Sequence, residues 1–329
     1  MIHTFKPMNH FLRALIIVLL STGSVSAQSI DFLPEGSWLV KYAYSRSDQN
    51  NIYQSGRSKD SIIERKLNKA GLDSGDISGS ITQETLEQSI TLQYGYSPSY
   101  NFALIVPYYT KIRNADSLFD KTGNNSAFIE AHQSASVSGM GDVELRFKNR
   151  WVYTDEHDLQ VGMTYNHDNA SYNYNDAKKL PLGTGCRELT MFLRWMIYAI
   201  ESNLRTKLEY FEQITFDGKV NDSAGNEETI KRGNARKTSL SVYSHSAEWQ
   251  YGGGVEIIDQ SKTLIGEEDQ EDGYLAHSYF FSLNFGNLNE LEDGSVDLPW
   301  ETGFYYKSVF AGSNAYDTTT LGITAVLYF

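Results

Sequence analysis

In several stretches of the 329-residue sequence, ionisable residues alternate one by one with apolar ones. The clearest is Val143 to Trp151, where Glu144, Arg146, Lys148 and Arg150 take one parity and Val143, Leu145, Phe147 and Trp151 the other. The same opposition sets Lys41, Glu188, Arg194, Arg205, Lys207, Glu209, Glu256, Glu301 and Lys307 against the aromatic and aliphatic residues of their own segments. Successive side chains of a β-strand point to opposite faces, so each segment has a charged face and an apolar face. A charge facing lipid near the bilayer midplane costs about 2–4 kcal/mol, whereas a charge facing a wet lumen is hydrated or paired. All of these charged residues are therefore expected to line the lumen of a barrel. Two outcomes follow from that placement. Arg146, Lys148, Arg150, Arg194, Arg205 and Lys207 form a basic stripe along a polar path, or they pair with Glu144, Glu188 and Glu209 and fill a narrow barrel.

Other chemistry is poorly supplied. Cys186 is the only cysteine, which rules out an intrachain disulfide and offers no redox or metal framework. The acidic run Glu267-Glu268-Asp269-Gln270-Glu271-Asp272-Gly273 lacks the alternating ligand spacing of a calcium loop. It reads as a solvated loop bridged to surface lipid by loosely held divalent ions. Tyr165 to Ser171, with His167, Asn169 and Ser171, invites comparison with outer-membrane phospholipase A, whose site is Ser/His/Asn. A nucleophile needs a base within hydrogen-bond reach, and Asn169 stands two after His167 where that resemblance wants serine. No catalytic, cofactor or metal residues are assigned. Formal charge is −13, which argues against nucleic acid and anionic bilayer surfaces as partners.

The elements that must position these residues repeat as alternating runs bounded by polar or Gly-rich segments. They are Gly36–Ser47, Leu86–Tyr96, Tyr100–Ile112, Asp142–Tyr153, a fifth around Leu159 to Tyr165, Arg187–Ala199, Leu204–Ile214, Thr238–Ser244, Trp249–Ile258, Tyr274–Phe285, Trp300–Phe310 and Thr318–Phe329. The polar stretch 48–83 holds a short helix near Ile62 to Leu72, and 113–138, 167–183, 216–236 and 259–273 read as polar loops. Connections mostly alternate long and short, as in outer-membrane barrels with long external loops, short periplasmic turns and an even strand number. Residues 287–298 form a connection long for a periplasmic turn. Tyr and Trp sit toward strand ends, where interfacial girdles belong. The final segment has Leu321, Ile323, Ala325, Leu327 and Phe329 on one face, and a terminal amphipathic strand ending in Phe resembles the assembly signal of outer-membrane barrels.

Lys6 and Arg13, the apolar run Ala14 to Leu20 and Val25-Ser26-Ala27 have the three parts of a secretory signal peptide, with cleavage expected before Gln28. Residues 28–329 then form one domain, in which Lys6 and Arg13 are gone and 26 Lys+Arg face 41 Asp+Glu, a net −15. No later run approaches the roughly 20 apolar residues of a spanning helix. A membrane chain of this kind must be a barrel, since only helices and closed barrels satisfy every backbone group in lipid.

Tyr94-Gly95-Tyr96-Ser97-Pro98-Ser99-Tyr100-Asn101-Phe102, Val106-Pro107-Tyr108 and Ser138-Gly139-Met140-Gly141-Asp142-Val143 with Lys148 resemble the outer-membrane family named for the meta-pathway of phenol degradation, in the wider group of FadL-like transporters. The likeness covers roughly residues 89–151, with Asn149-Arg150-Trp151 departing from a Tyr-Arg-Phe type ending. Gly139, Gly141 and Asp142 are its motif residues; the glycines are expected to permit a tight bend or bulge and Asp142 to bond local amides. The expected fold is an all-β, transmembrane, antiparallel up-and-down barrel of about twelve strands. The expected function is passive admission of small solutes, hydrophobic and aromatic ones included. Alternatives are an outer-membrane hydrolase and a surface-recognition barrel with a blocked lumen. Expected partners are outer-membrane lipid and lipopolysaccharide, the barrel-assembly machinery and the small solute.

Overall fold

The structure, a computed structural model, describes residues 32–73, 75–170, 180–199, 202–221, 227–245, 249–265, 268–269, 272–286 and 299–329. The expected signal peptide lies outside them, as do the connection 287–298 and Glu267, Gln270 and Glu271 of the acidic run.

Twelve strands form one antiparallel circuit. They are β1 (Trp38–Ser55), β2 (Ile77–Ser97), β3 (Tyr100–Asp120), β4 (Val143–Tyr153), β5 (His157–His167), β6 (Glu188–Ala199), β7 (Leu204–Thr215), β8 (Ala235–His245), β9 (Trp249–Gln260), β10 (Tyr274–Gly286), β11 (Trp300–Ser313) and β12 (Ala315–Tyr328). Each pairs with the next, and β12 closes on β1 in register from Leu39↔Tyr328 to Gln49↔Thr318. Closure removes every edge, so no ladder is left unpaired in lipid. Phe329 continues the seam: its N–H donates to Trp38 O at 2.9 Å and the Trp38 N–H to Phe329 O at 3.0 Å.

The outer surface is an apolar belt. Ile90, Leu104, Leu145, Met163, Leu193, Leu208, Leu240, Val255, Phe281, Phe304 and Ile323 are all exposed, against the soluble-protein rule that such residues go inside. Their neighbours on the other parity, such as Gln93, Thr164, Glu209, Ser239 and Glu256, are buried. This inversion is the pattern lipid demands, with alternate residues facing hydrocarbon and a polar interior. The tryptophans at positions 38, 151, 195, 249 and 300 all lie toward the end where β1 begins and β12 finishes. Trp38 meets Tyr94 at 4.6 Å, and Phe285 meets Trp249 at 4.6 Å and Trp300 at 5.4 Å, making a girdle there.

Strands β1, β2 and β3 are 18, 21 and 21 residues long, about twice what a spanning strand needs. The sequence reading of 48–83 and 113–138 as polar loop is corrected here. Outside the membrane a strand faces water on one side and need not show an apolar outer face, so the alternation fades although the ladder continues. On the inner side of this wall sit helices α1 (Ile62–Lys69) and α2 (Ser126–Ala131). Ser61 and Glu64 form a capping box at the start of α1. Ile62, Ile63 and Leu67 of α1 bury against Ile52, Ile77, Ile81 and Phe128. The polar segment 135–140 also pairs with β3 before the chain enters β4. Across the mouth, Gly218–Asn221, Glu227–Lys231, Leu264–Ile265 and Glu268–Asp269 make a small separate sheet from two external loops. It is held by a buried cluster of Cys186, Ile230 and Ile265. Burial pushes the Cys186 thiol up, which keeps it a packing residue.

Candidate functional site in the barrel lumen

The motif at Gly139 to Asp142 builds the outer rim of the lumen. Neither Gly139 nor Gly141 has a positive φ, but the expected bulge is there: the register against β3 moves by one residue between Tyr108↔Met140 and Ile105↔Glu144. Clearance also favours glycine. A Cβ on Gly139 would come within 2.6 Å of Leu182 Cδ1, and one on Gly141 within 2.3 Å of the Tyr109 ring. Asp142 does not bond local amides. Its carboxylate accepts the N–H groups of Asn169 (3.2 Å), Ala170 (3.0 Å) and Thr184 (2.9 Å), and the Thr184 hydroxyl (3.2 Å). These groups lie at the two ends of the connection between β5 and β6, so one buried carboxylate clasps that connection to the start of β4. Asn169 completes the clasp, its Oδ1 accepting the Val143 N–H at 2.7 Å and its Nδ2 donating to Gly141 O at 3.3 Å. Asn169 is thus committed to backbone, and Ser171 lies outside the described residues.

Below the clasp are two cavities. The outer one, about 640 Å³, is bounded by Tyr109, Lys111, Asp142 and Glu144 of the wall and by loop residues that include Leu182, Ile230, Arg232 and Ile265. With Lys69 from the connection between β1 and β2, four external connections therefore reach inward over the barrel. The inner cavity, about 450 Å³, is lined by Glu144, Arg146, Lys148, Arg194, Lys207, Glu209, Lys237, Phe192 and Phe211 among others. Glu144 and Asn166 border both and stand between them.

Seven of the charged residues expected in the lumen come together at the inner cavity or beside it. Glu209 is the hub of one network: Arg194 Nε lies at 2.6 Å, Lys207 Nζ at 3.2 Å and the Ser239 hydroxyl donates at 3.3 Å. Arg146 reaches Glu144 at 3.4 Å and donates to Thr164 Oγ1 at 3.1 Å. Lys148 points to the Gln93 side chain at 3.5 Å. Glu188 is buried at the upper margin, taking the Asn166 amide at 3.2 Å and facing Arg232 at 3.7 Å. Glu256 forms a second hub between Lys237, at 3.5 Å, and Lys307. Lys41 on β1 and Glu301 on β11 stand away from both cavities.

The expected stripe breaks at its lower end. Arg150 is paired with Asp158 at 3.0 Å and lies 4.4 Å from the Phe32 ring, while Arg205 is buried against Tyr243. These two belong to a packed layer with Leu33, Asn101, Asp158, Gln160, Met196, Ser241 and Ser244, all fully buried. Leu33 enters from the segment before β1: its N–H donates to Asn101 Oδ1 at 2.7 Å and its carbonyl accepts Asn101 Nδ2 at 3.1 Å. Sequence reasoning missed Lys237, Asp158, Phe192, Phe211 and Leu33. Extending the eighth strand by one residue would have found Lys237, and Asp158 takes the parity opposite Leu159. Nothing local marks Leu33, whose role depends on Asn101 far along the chain.

No family model matches the sequence, and no curated protein matches it. Solved structures do match. The crystal structure of an outer membrane channel from Pseudomonas putida F1 superposes with a TM-score of 0.67 at 14% identity, over 93% of this chain and 100% of that one. The fold is an outer-membrane β-barrel. A Pseudomonas aeruginosa FadL homologue (TM-score 0.38, 10% identity, 89% of this chain and 88% of that chain) and the NanC porin (0.40, 10%, 87% and 98%) also match, at scores too low to carry an argument.

Proposed function

We propose that this barrel is a passive outer-membrane channel for small solutes, hydrophobic and aromatic ones included. The observation that carries this reading is the pair of polar cavities on either side of Glu144 and Asn166 inside a closed twelve-stranded wall. Fold-level likeness to the Pseudomonas putida channel supports it, and the resemblance of residues 89–151 supports the solute class. Outer-membrane residence, removal of residues 1–27, contact with lipopolysaccharide and delivery by the barrel-assembly machinery are parts of the same proposal. Twelve strands lie between the side-chain-filled size of eight and the open size of porins. Weak anion preference follows, because the acidic partners of the basic residues cancel much of their field and the remainder is focused in a narrow, low-dielectric tube. Distant external carboxylates are screened over about 8 Å at physiological salt.

A second reading, a barrel with a blocked lumen that serves structure or surface recognition, is favoured by the packed layer around Leu33, Asn101, Asp158, Gln160 and Met196. Single-channel recording of the purified protein in planar bilayers separates them. Discrete conductance steps support the channel, with replacement of Arg146, Lys148 and Lys207 by Gln moving the reversal potential in a salt gradient toward cations. Complete absence of steps establishes the blocked barrel. An unchanged reversal potential in the open triple variant makes these charges structural filling.

A further inference from the structure

The inner cavity holds two features that the channel reading does not require. Its lining carries five cations, Arg146, Lys148, Arg194, Lys207 and Lys237, against two carboxylates, Glu144 and Glu209. Adding the second hub, Glu256 with Lys307, raises both counts by one and leaves the surplus at three positive charges. In the same cavity two phenylalanines face inward. Phe192 and Phe211 have centroids 5.8 Å apart at an interplanar angle of 34°. Phe192 packs against the wall: a Cβ on Gly162 would fall 2.4 Å from its ring, so glycine on β5 gives the ring its place there. Lys237 Nζ stands over one face of Phe211, 4.1 Å from its centroid, and the Arg194 guanidinium lies 5.9 Å from the centroid of Phe192.

Phe192 is buried, at 7% exposure, and backs the half-buried Phe211; the part of Phe211 left open in a wet, charged lumen gains by covering itself with another flat apolar body. A surplus of cations beside it gains by receiving a carboxylate, through charge-assisted hydrogen bonds from Arg146 and Lys148. A volume of about 450 Å³ falls in the ordinary range of small-molecule sites. We infer that the inner cavity is a binding site for a planar aromatic carboxylate, whose ring lies against Phe211 and whose carboxylate faces Arg146 and Lys148. This deepens the channel reading, on which it rests for a route of entry. It makes the solute an anion with an apolar ring, rather than a neutral aromatic compound or a simple inorganic ion.

Equilibrium binding tests this without requiring conduction. Purified detergent-solubilised protein is titrated calorimetrically with benzoate, acetate and benzyl alcohol. The expected result is benzoate binding about tenfold tighter than either of the others, a difference of ~1.4 kcal/mol. Lys148→Gln should weaken benzoate severalfold and leave benzyl alcohol unchanged, whereas Phe211→Leu should weaken benzoate and leave acetate unchanged. Heat-modifiable gel mobility confirms that each variant is folded, and Arg146→Gln serves as a second cationic variant if Lys148→Gln fails to fold. Equal affinity for benzoate and acetate, no benzoate binding, or benzoate binding indifferent to both kinds of variant overturns the inference. Conductance of the same preparations keeps the two readings apart. Benzoate binding without conductance retains the site and removes the channel, while conductance without benzoate preference removes only the site.

Discussion

At Asp142 one side chain explains a motif. A carboxylate buried at the barrel rim and receiving three backbone N–H groups and a hydroxyl is fully used, and hydrogen bonds to a charged acceptor contribute roughly 1.5–3 kcal/mol each. Asp142→Asn keeps the shape and removes the charge. The amides of Asn169, Ala170 and Thr184 should then exchange with solvent about tenfold faster, because a loss of that size raises the open population in proportion. Strand amides of β4 and β5 should be unaffected. Unchanged exchange at those three positions would show that shape rather than charge holds the connection.

Among the elements, the strands carry their instruction in parity. Leu145 is 55% exposed on the outer face of β4, and Glu144 beside it faces the lumen. Leu145→Arg should lower the stability of the barrel in vesicles by about 2–4 kcal/mol, whereas Glu144→Gln should cost less than half as much because its face is wet. Urea unfolding in phosphatidylcholine vesicles measures both, and equal losses would contradict the assignment of faces. The helix α1 makes a different demand. Burial lowers the Lys66 ammonium to about 8, with Arg113 and Lys69 adding repulsion. The unfolded lysine, with its ordinary value near 10.5, binds more protons than the folded one between pH 8 and pH 10.5. Stability of α1 on the wall therefore rises with pH through that window and is lowest below it. Amide exchange of Ile62 to Lys69 followed from pH 8 to 10, corrected for the intrinsic rate, should show increasing protection, and Lys66→Met should abolish the trend.

For the molecule as a whole, everything depends on closing β12 on β1. The seam runs from Leu39↔Tyr328 upward and ends with the reciprocal backbone pair of Trp38 and Phe329. Deleting Phe329 removes that last rung and leaves the Trp38 N–H and C=O without their partners at the membrane interface, where each unmade backbone bond is costly. The deletion should reduce the heat-modifiable, outer-membrane-inserted fraction severalfold in cells. Normal insertion would show that the seam and the assembly signal do not need this residue.

The alternation of Glu144, Arg146 and Lys148 with Leu145 and Phe147, repeated along the chain, was enough for a twelve-stranded barrel with charged residues inside. Parity is a property of neighbours in sequence, and lipid imposes it on every spanning strand. The short turns and the helix near Ile62 were legible for the same reason, since turn and cap chemistry is local. Tertiary structure alone decided the rest. The ladders of β1 to β3 continue beyond the membrane because their partners do, where no outer apolar face is required to announce it. Asp142 takes its amides from residues 27 to 42 positions away, and Leu33 finds Asn101 at a separation of 68. Which lysine or arginine meets Glu209 or Glu256 depends on barrel register, so the basic residues became two paired networks with a positive remainder instead of a continuous stripe. Such contacts are fixed by closure of the sheet, a condition that no window of sequence contains.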